Sequence, residues 1–207
     1  LVIESALMEG RRILSEMESK AILSAFRIPI AQTMVARSAS EAMVLAEELG
    51  LPVVMKIDSP QIAHKSDCGG VRLNLNSLAA VRDAWLEIMD GVKKNRPDAQ
   101  INGIAIEPMI QKANGRELVV GMMRDQVFGP TIVFGPGGTG VEAYNSERAV
   151  ALPPLNPFLV ADMLASTRTN ARLGQFRNMP PVSMAAIEAI LLSVSGMVCE
   201  LPWISAM

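Results

Sequence analysis

Two helix-start signals in the first quarter of the chain constrain the fold most. Serine is followed three residues later by glutamate at Ser15–Glu18 and again at Ser38–Glu41. This capping-box spacing satisfies two free backbone N–H groups at a helix N-terminus, and apolar residues at helical spacing follow each pair. The sequence therefore predicts helices over residues 15–26 and 38–50. The first is expected to bury Met17, Ala21, Ile22 and Ala25.

Short β-rich runs alternate with these helices, and strands cluster in the second half of the chain. Strands are predicted at residues 51–57, 71–75, 101–110, 115–125 and 128–138. Further helices are predicted at residues 77–95, 157–166 and 183–200. The first of these is expected to bury Val81, Ala84, Trp85, Ile88 and Val92. Such an order predicts an α+β fold, most economically two subdomains with a cleft between them.

The composition narrows the class of protein. Charged residues make up 19% of the 207 residues and the net charge is −2, so a nucleic-acid partner is not expected. The two cysteines, Cys68 and Cys199, lie far apart, which favours a reduced, cytoplasmic setting. The most apolar run, residues 189–199, is shorter than the roughly 20 residues that a membrane helix needs, so no membrane partner is expected.

Two residues, one in the predicted strand 51–57 and one after it, are candidates for phosphate chemistry. Lys56 follows an apolar run, where a lysine either reaches solvent at a strand end or meets an anion. His64 is the one histidine of the chain and lies in the polar segment "HKSDCGG". Imidazole is a nucleophile toward phosphoryl groups at neutral pH, although a lone histidine is more often structural or simply exposed.

Two carboxylates and a glycine-rich segment complete the candidate set. Glu107 closes one predicted strand and Glu117 opens the next, so a hairpin is expected to bring both to one edge of a cleft, or to leave them on a solvated rim. The segment "FGPGGTGVE", residues 134–142, contains Gly137 and Gly138 and ends at Glu142. Backbone N–H groups of such loops can cradle an oxyanion, although the segment lacks the Gly-Lys-Ser/Thr of a Walker A loop.

The order of these motifs is distinctive. "LPVVMKIDSPQIAHKSDCGGVRLNL" is followed by "IEPMI", "GRELVVGMMRDQVFGPTIVFGPGGTGVE" and "AVALPPLN". From about Leu14 to Pro202 the chain resembles the ATP-grasp domain of the NDP-forming acyl-CoA synthetases. It is most similar to the synthetase-like region of bacterial Pat-type protein lysine acetyltransferases, which is fused to a GNAT domain.

The resemblance implies a role for each candidate residue around ATP or ADP with Mg²⁺. Lys56 matches a lysine that binds nucleotide phosphates, and Glu107 and Met109 match positions beside the adenine. Glu117 matches an acidic residue near the ribose and phosphates, while Gly137 and Gly138 would allow close backbone approach. His64 matches a phosphoryl-carrying histidine on a mobile loop, and Glu142 matches the acid that steadies phosphohistidine.

The resemblance also implies a division of the chain. Residues 1–14 would link to a preceding domain, residues 15–110 would form the N-terminal subdomain, and residues 111–207 would form the C-terminal one. The family continues with a strand bearing an Asp-x-Asn-Pro motif that supplies Mg²⁺ ligands, and this chain ends where that strand would begin. The chain is therefore expected to be an enzyme fragment, inactive alone, that works with CoA-binding and ligase domains.

The sequence leaves two alternative functions open. In the first, the chain is a catalytically silent module that senses acetyl-CoA or nucleotide, or that holds a homo-oligomer together. In the second, it is the β subunit of a two-chain acyl-CoA synthetase. The sequence leaves the acyl substrate and the oligomeric state open.

Overall fold

The computed structural model describes residues 1–62, 64–110, 114–138, 148–167, 169–175 and 179–207, without the side chains of 171 and 172. It divides into two compact units. Unit 1 comprises Leu1–Ser24 and Ile30–Gln111, and unit 2 comprises Ala25–Pro29 and Lys112–Met207.

Unit 1 contains a four-stranded antiparallel sheet in the order β1-β4-β2-β3. Its strands are β1 Met34–Ala36, β2 Val53–Asp58, β3 Val71–Leu75 and β4 Gly103–Pro108. Its helices are α1 Val2–Met8, α2 Glu16–Ala25, α3 Ala39–Leu49 and α4 Leu78–Asn95, with a short 3₁₀ helix at Lys65–Cys68. Because β2 and β4 are the interior strands, their side chains lie in the best-shielded part of the sheet.

Helices α3 and α4 pack together and against this sheet. Four of the five residues predicted to be buried on α4 are buried, namely Val81, Ala84, Ile88 and Val92, and Trp85 is half-buried. They share one apolar core with Met55 and Ile57 of β2 and with Ile104 and Ile106 of β4. Burial of this aliphatic surface is the main force that holds α4 against the sheet.

Both predicted helix starts are observed. The Ser15 N–H donates to Glu18 Oε2 at 2.7 Å, and the Glu18 N–H donates to Ser15 Oγ at 3.3 Å. At the start of α3, the Glu41 N–H donates to Ser38 Oγ at 3.1 Å. Gly50, at φ +83°, ends α3 in a conformation that favours glycine.

Unit 2 contains a three-stranded antiparallel sheet in the order β5-β6-β7. Its elements are β5 Leu118–Asp125, β6 Gly129–Pro136, β7 Ala149–Ala151, α5 Pro157–Ser166, α6 Asn170–Leu173 and α7 Met184–Glu200. Phe134 and Ile132 of β6 share a core with Leu191 and Val194 of α7. The C-terminal residues run beside β5, where Met122 and Met207 exchange backbone hydrogen bonds of 3.0 and 2.8 Å.

The observed elements confirm an α+β fold. Within the described ranges, no helix combines the length and the apolar character that a membrane crossing requires.

Candidate functional site

Lys56 lies inside strand β2 rather than at its end. It is the fourth of six residues in β2, and it pairs with Ala105 of β4 and Val71 of β3. Its side chain is 29% exposed. The interpretation of Lys56 as a lysine that reaches solvent where a strand stops is therefore wrong. A lysine in the middle of an interior strand needs anionic partners nearby.

Glu107 supplies the nearest of these partners. Val54 pairs with Glu107 across the sheet and Lys56 pairs with Ala105, so Lys56 and Glu107 are diagonal neighbours on one face. The Lys56 Nζ donates to Glu107 Oε2 at 2.8 Å. Sequence analysis assigned both residues to one nucleotide site, and the structure brings them into direct contact.

Two further side chains complete the surroundings of Glu107. Lys20 of α2 donates to Glu107 Oε1, and the Thr33 hydroxyl donates to the same oxygen at 3.0 Å. Both carboxylate oxygens of Glu107 are thus occupied, and its side chain is only 10% exposed. Such a carboxylate acts as an internal counter-ion. The predicted role of Glu107 beside adenine stays a prediction.

Glu16, the first residue of α2, contacts three lysine side chains. Its Oε1 lies 3.3 Å from Lys56 Nζ and 3.4 Å from Lys20 Nζ, and its Oε2 accepts from Lys65. We call Glu16, Lys20, Lys56, Lys65 and Glu107 the lysine cluster. Every member belongs to unit 1. Three ammonium groups therefore face two carboxylates, which leaves the cluster with a formal charge of +1.

The lysine cluster overturns the predicted orientation of α2. Met17, Ala21 and Ala25 are exposed and Ile22 is half-buried, whereas Glu16 and Lys20 are 18% and 15% exposed. The prediction assumed that a helix buries its apolar face. Helix α2 instead turns its ionic face inward, because Glu16 and Lys20 pair there with the charged side chains of Lys56, Lys65 and Glu107. The four-residue spacing of Glu16 and Lys20 is the one sequence pattern that pointed to them.

Burial and charge act in opposite directions on the ionisation of this cluster. Burial alone raises the pKa of the Glu16 carboxyl, but the side chains of Glu107, Lys65 and Lys56 outweigh it and hold that pKa well below its ordinary value. Burial alone lowers the pKa of Lys56, but its hydrogen bond to Glu107 and the charges of both glutamates raise it. Glu16 and Lys56 therefore both stay charged at neutral pH.

His64 is exposed and precedes the 3₁₀ helix Lys65–Cys68. Among the residues that the structure describes, none donates to or accepts from its imidazole. The helix that follows is anchored: Cys68 is buried and its carbonyl accepts from Asn95 Nδ2 at 3.3 Å. The His64 side chain is therefore accessible to solvent, on a segment that is anchored at Cys68.

Gly70 closes this segment and has no room for a side chain. Its N–H donates to the Lys65 carbonyl at 2.8 Å, and its own carbonyl accepts from the Ile57 N–H at 2.7 Å. A Cβ on Gly70 would lie 2.5 Å from Ile57 Cγ2 and 2.8 Å from the Lys65 carbonyl oxygen. Glycine is therefore required here by close packing against β2.

The predicted hairpin between Glu107 and Glu117 is wrong. Strand β4 belongs to the sheet of unit 1 and β5 to the sheet of unit 2, so the two strands do not pair. Met109, after β4, is half-buried and donates its N–H to the Pro52 carbonyl at 2.8 Å. Glu117 is exposed at the start of β5.

Gly137 and Gly138 lie against Glu117 within unit 2. The Gly137 N–H donates to the Glu117 carbonyl at 2.8 Å. A Cβ on Gly137 would lie 3.0 Å from the backbone of Glu117 and Leu118, and one on Gly138 would overlap the Glu117 carboxylate. The close approach that these glycines permit is thus to Glu117. Glu142, the predicted partner of phosphohistidine, lies outside the described residues.

No group of three or more His, Cys, Asp or Glu side chains in the described ranges is arranged to hold a metal ion. Mg²⁺ is commonly held by one or two carboxylates together with the substrate's own phosphates. The lysine cluster carries net positive charge and therefore fits the phosphates of such a substrate. Its two carboxylates are already paired with lysines, so they fit Mg²⁺ less well than the phosphates do.

Comparison with known proteins identifies the family. Residues 5–207 match the sequence family described as an ATP-grasp domain. The β subunits of ADP-forming acetate–CoA ligases I and II of Pyrococcus furiosus are 38% and 37% identical to the chain. In both, the match spans 97% of this chain, and it covers 85% and 84% of the respective subunits.

Another relative is much longer than this chain. The ADP-forming 4-hydroxybutyrate–CoA ligase of Nitrosopumilus maritimus is 35% identical over 96% of this chain, which corresponds to 28% of that protein.

Solved structures agree with this assignment. The dinucleotide-forming acetyl-coenzyme A synthetase 1 of Ca. Korarchaeum cryptofilum, in complex with coenzyme A, Ca-AMPCP and HgCl⁺, superposes with a TM-score of 0.92 at 38% identity. The match covers 99% of this chain and 88% of that one. A second structure of that enzyme, with coenzyme A and Mg-AMPPCP, has its phosphohistidine segment pointing towards the nucleotide binding site. Its TM-score is 0.81 at 33% identity, over 96% of this chain and 84% of that one.

The chain belongs to the ATP-grasp family and has the ATP-grasp fold. Within that family it belongs with the β subunits of the ADP-forming acetate–CoA ligases.

Proposed function

We propose that this chain is the nucleotide-binding part of an ADP-forming acyl-CoA ligase, with the phosphates bound at the lysine cluster and His64 as the phosphoryl carrier. The observation that carries the proposal is the convergence of Lys20, Lys56 and Lys65, from three different elements, on two shielded carboxylates. The three ammonium groups repel one another and only two carboxylates balance them, which favours an additional anion at this place.

Glu107 and Glu16 prepare Lys56 for a phosphate. They fix the position of its ammonium group and keep it charged. A polyphosphate then meets a cation whose position requires no further ordering, and pre-organised charge is the main means by which proteins stabilise a phosphoryl group in transfer. Lys20 provides a second ammonium group on the same carboxylate.

His64 would carry the phosphoryl group between sites. A neutral imidazole nitrogen attacks the γ-phosphorus of ATP in line with the leaving group. An N–P bond forms, the bond from the γ-phosphorus to the β,γ-bridging oxygen breaks, and ADP leaves with the electron pair. The reverse step makes ATP from ADP. Mg²⁺ bound to the phosphates would neutralise developing charge, and Lys56 would position the phosphates for both directions.

The partners follow from the relatives. Since the chain covers 85% of a ligase β subunit, we propose that it works with CoA-binding and ligase domains on a separate subunit or elsewhere in its own protein, in the cytoplasm. The fusion to a Pat-type GNAT acetyltransferase stays a prediction, because the relatives described above are named as ligases and synthetases. Homo-oligomerisation likewise stays a prediction.

Thermal unfolding with and without MgADP tests nucleotide binding. At a hundredfold excess over Kd, a ligand that binds only the folded state adds about 2.7 kcal/mol of stability. For a chain of this length that corresponds to a rise of roughly 5 to 11 °C in Tm. MgAMP lacks the β-phosphate and is expected to give a smaller shift at the same concentration. Equal shifts with MgAMP and MgADP would contradict a site built around the phosphates.

A further inference from the structure

The side chain of Glu16 connects the two parts of the proposed phosphoryl-transfer site. One carboxylate oxygen faces Lys56, the proposed phosphate ligand, at 3.3 Å. The other accepts from Lys65, which directly follows His64. Glu16 is the first residue of α2, and the Ser15–Glu18 capping box fixes the start of this helix. The backbone that carries the Glu16 carboxylate is therefore held in place.

The three lysines that contact Glu16 differ in whether they have a second carboxylate partner. Lys56 and Lys20 both also bind Glu107. Lys65, by contrast, has Glu16 as its one carboxylate partner among the described residues. Removal of the Glu16 charge therefore leaves Lys56 and Lys20 anchored and detaches Lys65.

From this asymmetry we infer that Glu16 is a positioning residue, which holds the His64 segment (residues 64–70) to α2 through Lys65 and so sets its position relative to Lys56. The role of His64 as phosphoryl carrier rests on the proposed function, but the anchoring of its segment does not. Glu16 contacts the lysines and acts on the chemistry only through them.

Hydrogen exchange of Glu16→Gln tests this inference. Gln has the same shape but no charge. The N–H groups of Asp67, Gly69 and Gly70 report on the segment, since each donates to a carbonyl within it. Loss of a partly buried ion pair is expected to speed their exchange about three- to tenfold, through local opening. Exchange in β2 and β4 should remain unchanged, because Lys56 keeps its hydrogen bond to Glu107.

Glu18→Gln is the matched control. It removes the same charge from the same helix, but Glu18 pairs with Arg11, at 2.6 Å, and not with Lys65. Its exchange in the His64 segment should equal that of the unmodified chain. Lys65→Met should reproduce the effect of Glu16→Gln, and the double variant should loosen the segment no further than either single change.

Three results would overturn the inference. The first is that Glu16→Gln does not change amide exchange in the His64 segment. The second is that Glu18→Gln speeds exchange there as much as Glu16→Gln does. The third is that Glu16→Gln and Lys65→Met both also speed exchange throughout β4. The exchange measurement requires no nucleotide. An exchange result that contradicts the anchoring role of Glu16 would therefore not contradict the proposed nucleotide site. Conversely, a failure of MgADP to bind would not contradict the anchoring role.

Discussion

Replacement of His64 with alanine is expected to abolish the transfer of a labelled phosphoryl group from ATP to this chain in the assembled ligase. The reason is chemical: the attacking nitrogen is lost, and His64 is the one histidine of the chain. Affinity for MgADP should change by less than about threefold, because the imidazole lies outside the lysine cluster and has no described hydrogen-bond partner there. After the reaction in the assembled ligase, this chain is separated from its partners, and the amount of acid-labile label on it measures the transfer.

Ser66→Ala is the control for this experiment. Ser66 is exposed in the same segment, and its replacement leaves the imidazole in place, so labelling should continue at close to the original rate. If His64→Ala still accepts label of the same acid lability and stoichiometry, the carrier role belongs to another side chain. If both variants lose labelling equally, the geometry of the segment, and not the imidazole, is responsible.

Replacement of Lys56 with methionine is expected to weaken MgADP binding by about 10- to 100-fold, since a hydrogen bond to a charged group contributes roughly 1.5–3 kcal/mol. Methionine retains the unbranched stem that packs in β2 and removes only the ammonium group. The variant should remain folded, because Glu107 keeps Lys20 and Thr33 as partners. Titration calorimetry with MgADP gives the affinity.

Lys93→Met supplies the comparison for Lys56→Met. Lys93 lies exposed in the last turn of α4 and is not a member of the lysine cluster, so its replacement removes the same charge without changing the cluster. Its affinity for MgADP should equal that of the unmodified chain. If Lys56→Met and Lys93→Met bind MgADP equally well, then Lys56 is a structural lysine that serves only Glu107 and Glu16.

Much of the fold was predictable because local rules and tertiary packing agree there. Residues 71–75 form a strand with the predicted bounds, and α4 buries the predicted face. The helix starts at Ser15 and Ser38 were equally predictable, since capping depends on residues within one turn. The ATP-grasp fold itself was reached through the order of motifs, a pattern longer than any single element.

The site was predictable only in part. Lys56 and Glu107 were identified, and they are in contact. Glu16 and Lys20 were missed because their importance depends on non-local partners, in β2, β4 and the His64 segment. The hairpin error has the same origin: β4 and β5 are adjacent in sequence and belong to different sheets, and strand pairing across a short connection was assumed.

The most direct test of the central claim is to locate MgADP on the chain by amide chemical-shift perturbation in solution. We expect saturable shifts at Lys20, Lys56 and Glu107, with no comparable change at Lys93 and Lys94, which lie exposed near the end of α4. Shifts that saturate elsewhere in unit 1 while the lysine cluster stays unperturbed would contradict the account. So would the absence of any shift at millimolar MgADP.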